Sequence, residues 1–420
     1  MLEGLRSRLS RFARWLSYRA VSAAVHQPLA LRGLATFIRT TPRARGLLST
    51  VASREDVVGV FQRPSAFSSS AHRPNLVAGE FAIGMESDAR HACERAQLLR
   101  HLPSPTVFAA RASAESQRLI AALRAGGSRR FDLIDDYMVP IVWQALGGSF
   151  GQALPALSPG DPMFLNLRYV GAHLIAGATA TDAVQRRARE SAAALNAWVR
   201  GQLPALQALW QMPAQAQREA VARNVIGMLW VGHPATVQSG ALMMQELLAR
   251  PEVLHALAGR VRQSTDPWGD APLRELLARH VLELLRFRPP FPILRRDVPR
   301  DVLYGADGKA VARAGAQLTL MVIGALFDPA AHGGADPTRY DPDRAPSHPD
   351  DRYLVFGAAQ RQCIAPDQVV ETLVSALTGL LLLPQLRWAQ PWWRRMRYDG
   401  PIIASAPLSF RATAGGRDGA

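Results

Sequence analysis

Apolar positions recur at helical spacing through most of the chain. Residues 114–123, 186–203, 216–248, 272–288 and 367–382 each read as helices. Short runs with strand character cluster at 298–304, 310–322 and 402–410, and Gly-Ala-Asp-Gly at 305–308 supplies a turn between the first two. The pattern predicts a mainly α protein with small β-sheets.

The 216–248 stretch is apolar nearly all round its middle (Val225, Ile226, Met228, Leu229, Trp230, Val231). A helix of that kind belongs at the centre of a domain. Gly232-His233-Pro234 interrupts it. Pro234 has no N–H to give the carbonyl of Trp230, so the helix must kink or bulge there. Broken central helices often face a ligand.

At the N-terminus Leu2, Leu5, Leu9, Phe12 and Leu16 draw one apolar stripe, with Arg6, Arg8, Arg11 and Arg14 mostly off it. Two readings follow. The segment lies on a membrane surface or targets the protein, with peripheral membrane contact through residues 1–20. Alternatively it packs on the body with its arginines solvated.

No linker, charge block or repeat divides the 420 residues. The expected organisation is a basic segment over 1–45, a single catalytic domain over 46–412 and a flexible tail over 413–420. The net charge of +15 favours acidic partners, but no motif organises it for nucleic acid. Cys93 and Cys363 are the only cysteines, which points to a reducing cytoplasmic setting and not to a disulfide framework. No apolar run reaches the roughly 20 residues of a transmembrane helix.

The segment Phe356-Gly-Ala-Ala-Gln-Arg-Gln-Cys363-Ile-Ala365 is a small-residue loop ahead of a helix starting near Pro366. It lets backbone lie close to something flat and presents one thiol near a helix N-terminus. Nearby N–H groups, the helix dipole and Arg361 favour a thiolate there. A lone thiolate suits an axial haem ligand better than zinc, which wants four ligands.

This loop resembles the haem-binding loop of the cytochrome P-450 superfamily, F-G-x-G-x-R-x-C-x-G, at Phe356, Gly357, Arg361 and Cys363. Ala359 and Ala365 stand where that family usually has glycine. Four further segments appear in the family's order. Glu283-Leu-Leu-Arg286 is similar to its E-x-x-R helix, whose spacing puts both side chains on one face. Tyr340-Asp-Pro-Asp-Arg344 is similar to the segment whose Arg completes a Glu–Arg–Arg cluster. His91-Ala-Cys-Glu-Arg95 resembles the H-x-x-x-R helix that contacts haem propionates. Leu294-Arg295-Arg296-Asp297 resembles the stretch supplying another propionate arginine, with Arg295 preferred over Arg296. Cys93 is assigned no role.

The resemblance implies a triangular helical domain with haem b (iron, axial thiolate) between the central helix and the Cys363 loop. It also implies oxidation of a small or medium-sized apolar substrate, a natural product among the options. Segments 60–90 and 160–185 and the turn near 399–403 would read that substrate. A ferredoxin or flavodoxin would dock on the Cys363 side.

The departure lies in the central helix. Oxygen-activating members carry A-G-x-[D/E]-T, whose acid and Thr relay protons. The corresponding run here is Val231-Gly232-His233-Pro234-Ala235-Thr236. Neither Pro234 nor Ala235 can relay a proton. Thr236 sits one step along, about 100° further round a regular helix. Three chemistries compete: a monooxygenase relayed by Thr236, ordered water or substrate; a peroxygenase taking hydrogen peroxide; or a hydroperoxide or rearrangement enzyme with His233 as acid or base. A non-catalytic haem- or ligand-binding relative is the reading from another class.

Overall fold

The computed structural model describes residues 2–41, 48–86, 89–126, 128–150, 155, 157–158, 160–209, 215–305, 308, 310–344 and 354–411. The expected tail at 413–420 lies outside them, as do Ala306 and Asp307 of the predicted turn. The helices are α1 (Leu2–Val25), α2 (Pro28–Thr40), α3 (Arg54–Gln62), α4 (Ala89–His101), α5 (Pro105–Ala125), α6 (Val139–Gly147), α7 (Pro162–Ala176) and α8 (Asp182–Gly201). They continue as α9 (Leu203–Leu209), α10 (Gln215–Gly227), α11 (His233–Leu247), α12 (Pro251–Gln263), α13 (Ala271–Phe287), α14 (Val322–Leu326) and α15 (Pro366–Leu382).

Four small sheets accompany them. β1 (Thr50–Val51) runs parallel to β6 (Gln317–Leu320), which pairs antiparallel with β3 (Leu294–Asp297). β10 (Pro407–Ser409) lies between β2 (Arg130–Asp132) and β7 (Arg387–Trp388). Two hairpins join β4 (Val302–Tyr304) to β5 (Ala310–Ala312), and β8 (Arg397–Asp399) to β9 (Ile402–Ser405). The mainly helical expectation holds.

Its strand boundaries do not. The predicted 310–322 strand is β5, a break and β6, because Gly315 takes φ +81° and turns the chain. At 305–308 the turn closes with Gly308 N–H donating to the Gly305 carbonyl at 2.9 Å.

Pro234 acts as its chemistry requires. The chain runs α10, then a π-turn over Met228–Gly232, then α11. The wider turn absorbs the hydrogen bond that proline cannot make. From Val221 onward this axis is buried nearly all round: Val225 of α10, Leu229 and Trp230 of the π-turn, and Ala241 and Met244 of α11 are fully buried. The large core surrounds this axis with α5, α6 and α15.

A second core forms between α2, α3, α14 and the β1–β6–β3 sheet, with Tyr340 and Val355 packed against both. Because α2 buries Leu31, Ala35 and Ile38 in that core, residues 28–40 are part of the body. The C-terminal turns of α1 also pack down. The His26 ring lies 3.7 Å from that of Tyr398, and its Nε2 is 3.1 Å from the Gly400 carbonyl. Phe12, Trp15 and Leu16 nevertheless stay exposed, so neither reading of the N-terminus describes all of it. Among the described residues no helix is long and apolar enough to cross a membrane.

Candidate functional site

A cavity of about 250 Å³ opens between the π-turn of the central helix, the 356–364 loop and β3. Each wall follows from local sequence. Gly357 takes φ +82°, and a Cβ there would meet the Arg361 carbonyl at 3.0 Å, so only glycine lets the loop fold back on itself. Cys363 N–H then donates to the Phe356 carbonyl at 2.8 Å, closing the loop around the thiol. Pro366 in the first turn and Ala365 at the N-cap start α15 two residues later.

Cys363 Sγ accepts from Ala365 N–H at 3.4 Å and borders the cavity. Burial pushes its pKa up, and the Ala365 and Ile364 amides together with Arg95 only partly offset this. The amides favour a thiolate as expected, while burial, which the sequence does not show, opposes it. A bound cation would be needed to hold the thiolate.

The Ala359 methyl is tolerated at a cost. Ala359 sits at φ +52°, left-handed backbone that an L side chain disfavours. Arg361 ties the loop to the segment before α4, donating to the carbonyls of Ala82 (3.0 Å) and Met85 (2.6 Å).

Positive charge gathers around the rest of the rim. His91 and Arg95 on α4 both border the cavity, as their spacing implies, while Cys93 is exposed. On β3 the alternation of side chains puts Leu294 and Arg296 on the cavity face. Arg295 is not among the lining residues, so the preference for it is corrected to Arg296. Sequence could not choose between the two, because strand register decides which one points inward.

His72 was missed altogether. It borders the cavity, and its Nε2 lies 3.1 Å from the Arg296 guanidinium. Burial and the charges of Arg296, Arg361 and Arg295 push its pKa down to about 3, so it is neutral and accepts from Arg296. Nothing in the run Ser-Ala-His-Arg-Pro marks it out.

On the opposite wall Gly232, Ala235, Thr236 and Ser239 border the cavity. Both Ala235 and Thr236 reach it, so the Thr236 side chain is not turned away. Ser239 Oγ is engaged with the Ala235 carbonyl at 2.8 Å. His233 points elsewhere. Its ring stacks on Phe164 (5.6 Å between centroids), its Nε2 is 3.3 Å from the Val139 carbonyl, and it is 2% exposed. Burial drives its pKa down to about 4. Turned away from the cavity, the ring reaches no substrate proton from there, so its reading as acid or base is corrected on position. Pro234 likewise leaves the cavity and packs on α7, where a Cβ on Gly171 would lie 2.8 Å from its ring.

The Glu283–Arg286 pair is not the surface ion pair that spacing alone allows. It is bidentate, at 2.7 and 2.8 Å, with both residues 7% exposed. Arg286 also donates to the Leu326 and Pro337 carbonyls, and Glu283 accepts from Asp341 N–H at 2.9 Å. Arg344 borders a second cavity of about 380 Å³ with both residues, and shares the Arg339 carbonyl with Arg286.

The residues fit a haem. Arg95 and Arg296 border the 250 Å³ cavity with no carboxylate among its described lining residues, a setting that suits an anionic group. The remaining walls are apolar, with Phe81, Ile83, Phe291, Leu294 and Val322 among them. One buried thiol with no companion ligand suits a metal whose other ligands arrive with it.

Comparison with known proteins agrees with this class of site. The Cytochrome P450 family model matches residues 172–364, which include the π-turn, Glu283, Arg286, Arg296 and Cys363 but not His91 or Arg95. The structure of a mutant of P450 EryK in complex with erythromycin B superposes with a TM-score of 0.71 at 20% identity, covering 94% of this chain and 99% of that one. CYP109E1 from Bacillus megaterium, in complex with corticosterone, gives 0.68 at 16% identity, covering 92% and 99%. Human Cytochrome P450 4F2 is 25% identical over 146 residues, 32% of this chain. The chain spans only 28% of that relative's length. The chain therefore has the fold of these cytochrome P450 structures over nearly its whole length, and the sequence match to the Cytochrome P450 family model ends at the thiol loop.

Proposed function

We propose that the protein is a haem-thiolate oxidoreductase that oxidises a small or medium-sized apolar substrate, natural products included. One observation carries this reading: the Cys363 thiol borders an apolar cavity rimmed by guanidinium groups and free of carboxylates among its described lining residues. Cys363 Sγ would ligate the haem iron, and Arg95, Arg296, Arg361 and His91 would hold its propionates. The haem, when bound, supplies the redox chemistry. The chain's own contribution is to set ligand, access and proton supply.

The Ala365 N–H aimed at Sγ withdraws electron density and stabilises the thiolate. The loop residues Phe356 and Gly357 cover that ligand. Across the cavity, Val231, Ala235, Phe291 and Leu294 exclude water and favour an apolar substrate. Thr236 Oγ1 is the hydroxyl of the 231–236 run positioned to hold a proton donor over the substrate side. With Pro234 and Ala235 in the relay positions, no carboxylate backs it up. That absence favours a second reading in which hydrogen peroxide replaces dioxygen and a ferredoxin or flavodoxin partner.

Purified protein tests both. A carbon monoxide difference band of the thiolate-ligated type is expected, and its persistence in Cys363→Ala overturns the ligand assignment. Haem titration separates the rim residues: Arg296→Ala weakens haem binding and Arg295→Ala leaves it nearly unchanged. Turnover with peroxide alone supports the peroxygenase reading, and turnover only with reductase, ferredoxin and dioxygen supports the monooxygenase. Tight ligand binding with neither activity would favour a non-catalytic role.

A further inference from the structure

Two parts of the sequence lack acidic residues in a way the site does not explain. Residues 4–54 hold ten arginines and no Asp or Glu, and residues 372–398 hold four arginines and no acid. The structure brings these two stretches together. The His26 ring meets Tyr398 and the Gly400 carbonyl, and Tyr18 of α1 crowds Gly400 so closely that a Cβ there would overlap its hydroxyl.

The same two stretches carry large apolar side chains in the open. Trp392 and Trp393 are 74% and 64% exposed and pack edge-to-face on each other in a turn that continues into Arg394 and Arg395. Only Arg395, Met396 and Arg397 separate Arg394 from Tyr398, so at most about 14 Å of chain joins the end of that turn to the residue His26 meets. On α1, Phe12 (57% exposed) stacks with Trp15, and the Arg19 guanidinium lies 5.9 Å from the Trp15 ring centre. A soluble surface with no partner would not concentrate Trp, Phe and Arg while excluding acids.

We propose that α1 and the Trp392–Arg395 turn together form a docking surface for an anionic phospholipid bilayer. Indole rings suit the boundary between headgroups and acyl chains, where one end is apolar and the other wet. Guanidinium groups pair with lipid phosphates in bidentate fashion. Asp399, the acid at the junction between Tyr398 and Gly400, is paired with Arg187, so its charge is offset and the two acid-free stretches add no repulsion of their own. Since no described helix can span a bilayer, the contact is peripheral.

The test uses the full-length holoprotein and vesicles of phosphatidylcholine, with or without phosphatidylglycerol, in a sedimentation assay. Binding to the anionic vesicles only, weakened by salt, is expected. Arg394→Gln/Arg395→Gln should weaken it by roughly fivefold per arginine. Trp392→Ser/Trp393→Ser should abolish the quenching of tryptophan emission by brominated acyl chains. Both pairs are solvent-exposed, so unchanged thermal midpoints establish that the variants fold. Equal binding to neutral and anionic vesicles overturns the proposal, as does full binding by the Trp double variant. A concentration-dependent dimer disrupted by the same variants, without vesicle binding, shows instead that a second copy covers this face.

Discussion

Glu283→Leu removes the carboxylate from a buried bidentate pair and leaves its cation in place. Arg286 is 7% exposed and would keep only its carbonyl acceptors at Leu326, Pro337 and Arg339. It loses both charge-assisted bonds, at 2.7 and 2.8 Å, and Asp341 N–H loses its acceptor. Breaking a buried pair on one side costs about 3–5 kcal/mol, because the remaining charge stays desolvated. Unfolding entropy of about 2.1 cal/mol/K per residue makes that a fall of roughly 3–6 °C in the thermal midpoint of a chain this size.

The comparison is Glu275→Gln. Its carboxylate pairs with Arg279 on the same helix but is 72% exposed, so the loss is expected within about 1 kcal/mol. Calorimetry of the haem-loaded protein, with far-UV circular dichroism as a second probe, reads both. Equal shifts for the two variants would refute the argument from burial.

Ala359→Gly should stabilise the thiol loop. Left-handed backbone costs alanine roughly 1–2 kcal/mol, against about 0.4–1 kcal/mol of extra chain entropy for glycine, so haem release should slow slightly. Faster release would show that the loop is not strained at φ +52°. His233 sets a pH dependence of stability. Its folded pKa of about 4 lies below the ordinary 6.5, so the unfolded chain binds the proton first as pH falls. The neutral ring's contribution is fully present above about pH 6.5 and is lost as pH drops toward 4. Denaturation midpoints across that range should fall less steeply in His233→Phe, and an unchanged slope would contradict the buried, neutral assignment.

The sequence by itself determined the mainly helical class, the broken central helix, the thiol loop with its glycine, and the pairing of Glu283 with Arg286. Each is a local matter. Helical period, a missing proline N–H and i,i+3 spacing act within a few residues, so they can be read without knowing what lies opposite.

Facing is another matter. Arg296 and not Arg295 reaches the cavity because β3 pairs with β6 in one register, which the residues of β3 do not encode alone. His233 looked available for chemistry until the π-turn and α7 enclosed it against Phe164. His72 became part of the rim only because a short helical turn from the second core lies against β3. Even at the Cys363 thiol, whose place in the loop was legible, two opposing influences act and only one is local. The helix N-terminus favouring the anion is written in the sequence, but the burial opposing it is a property of everything packed around the loop.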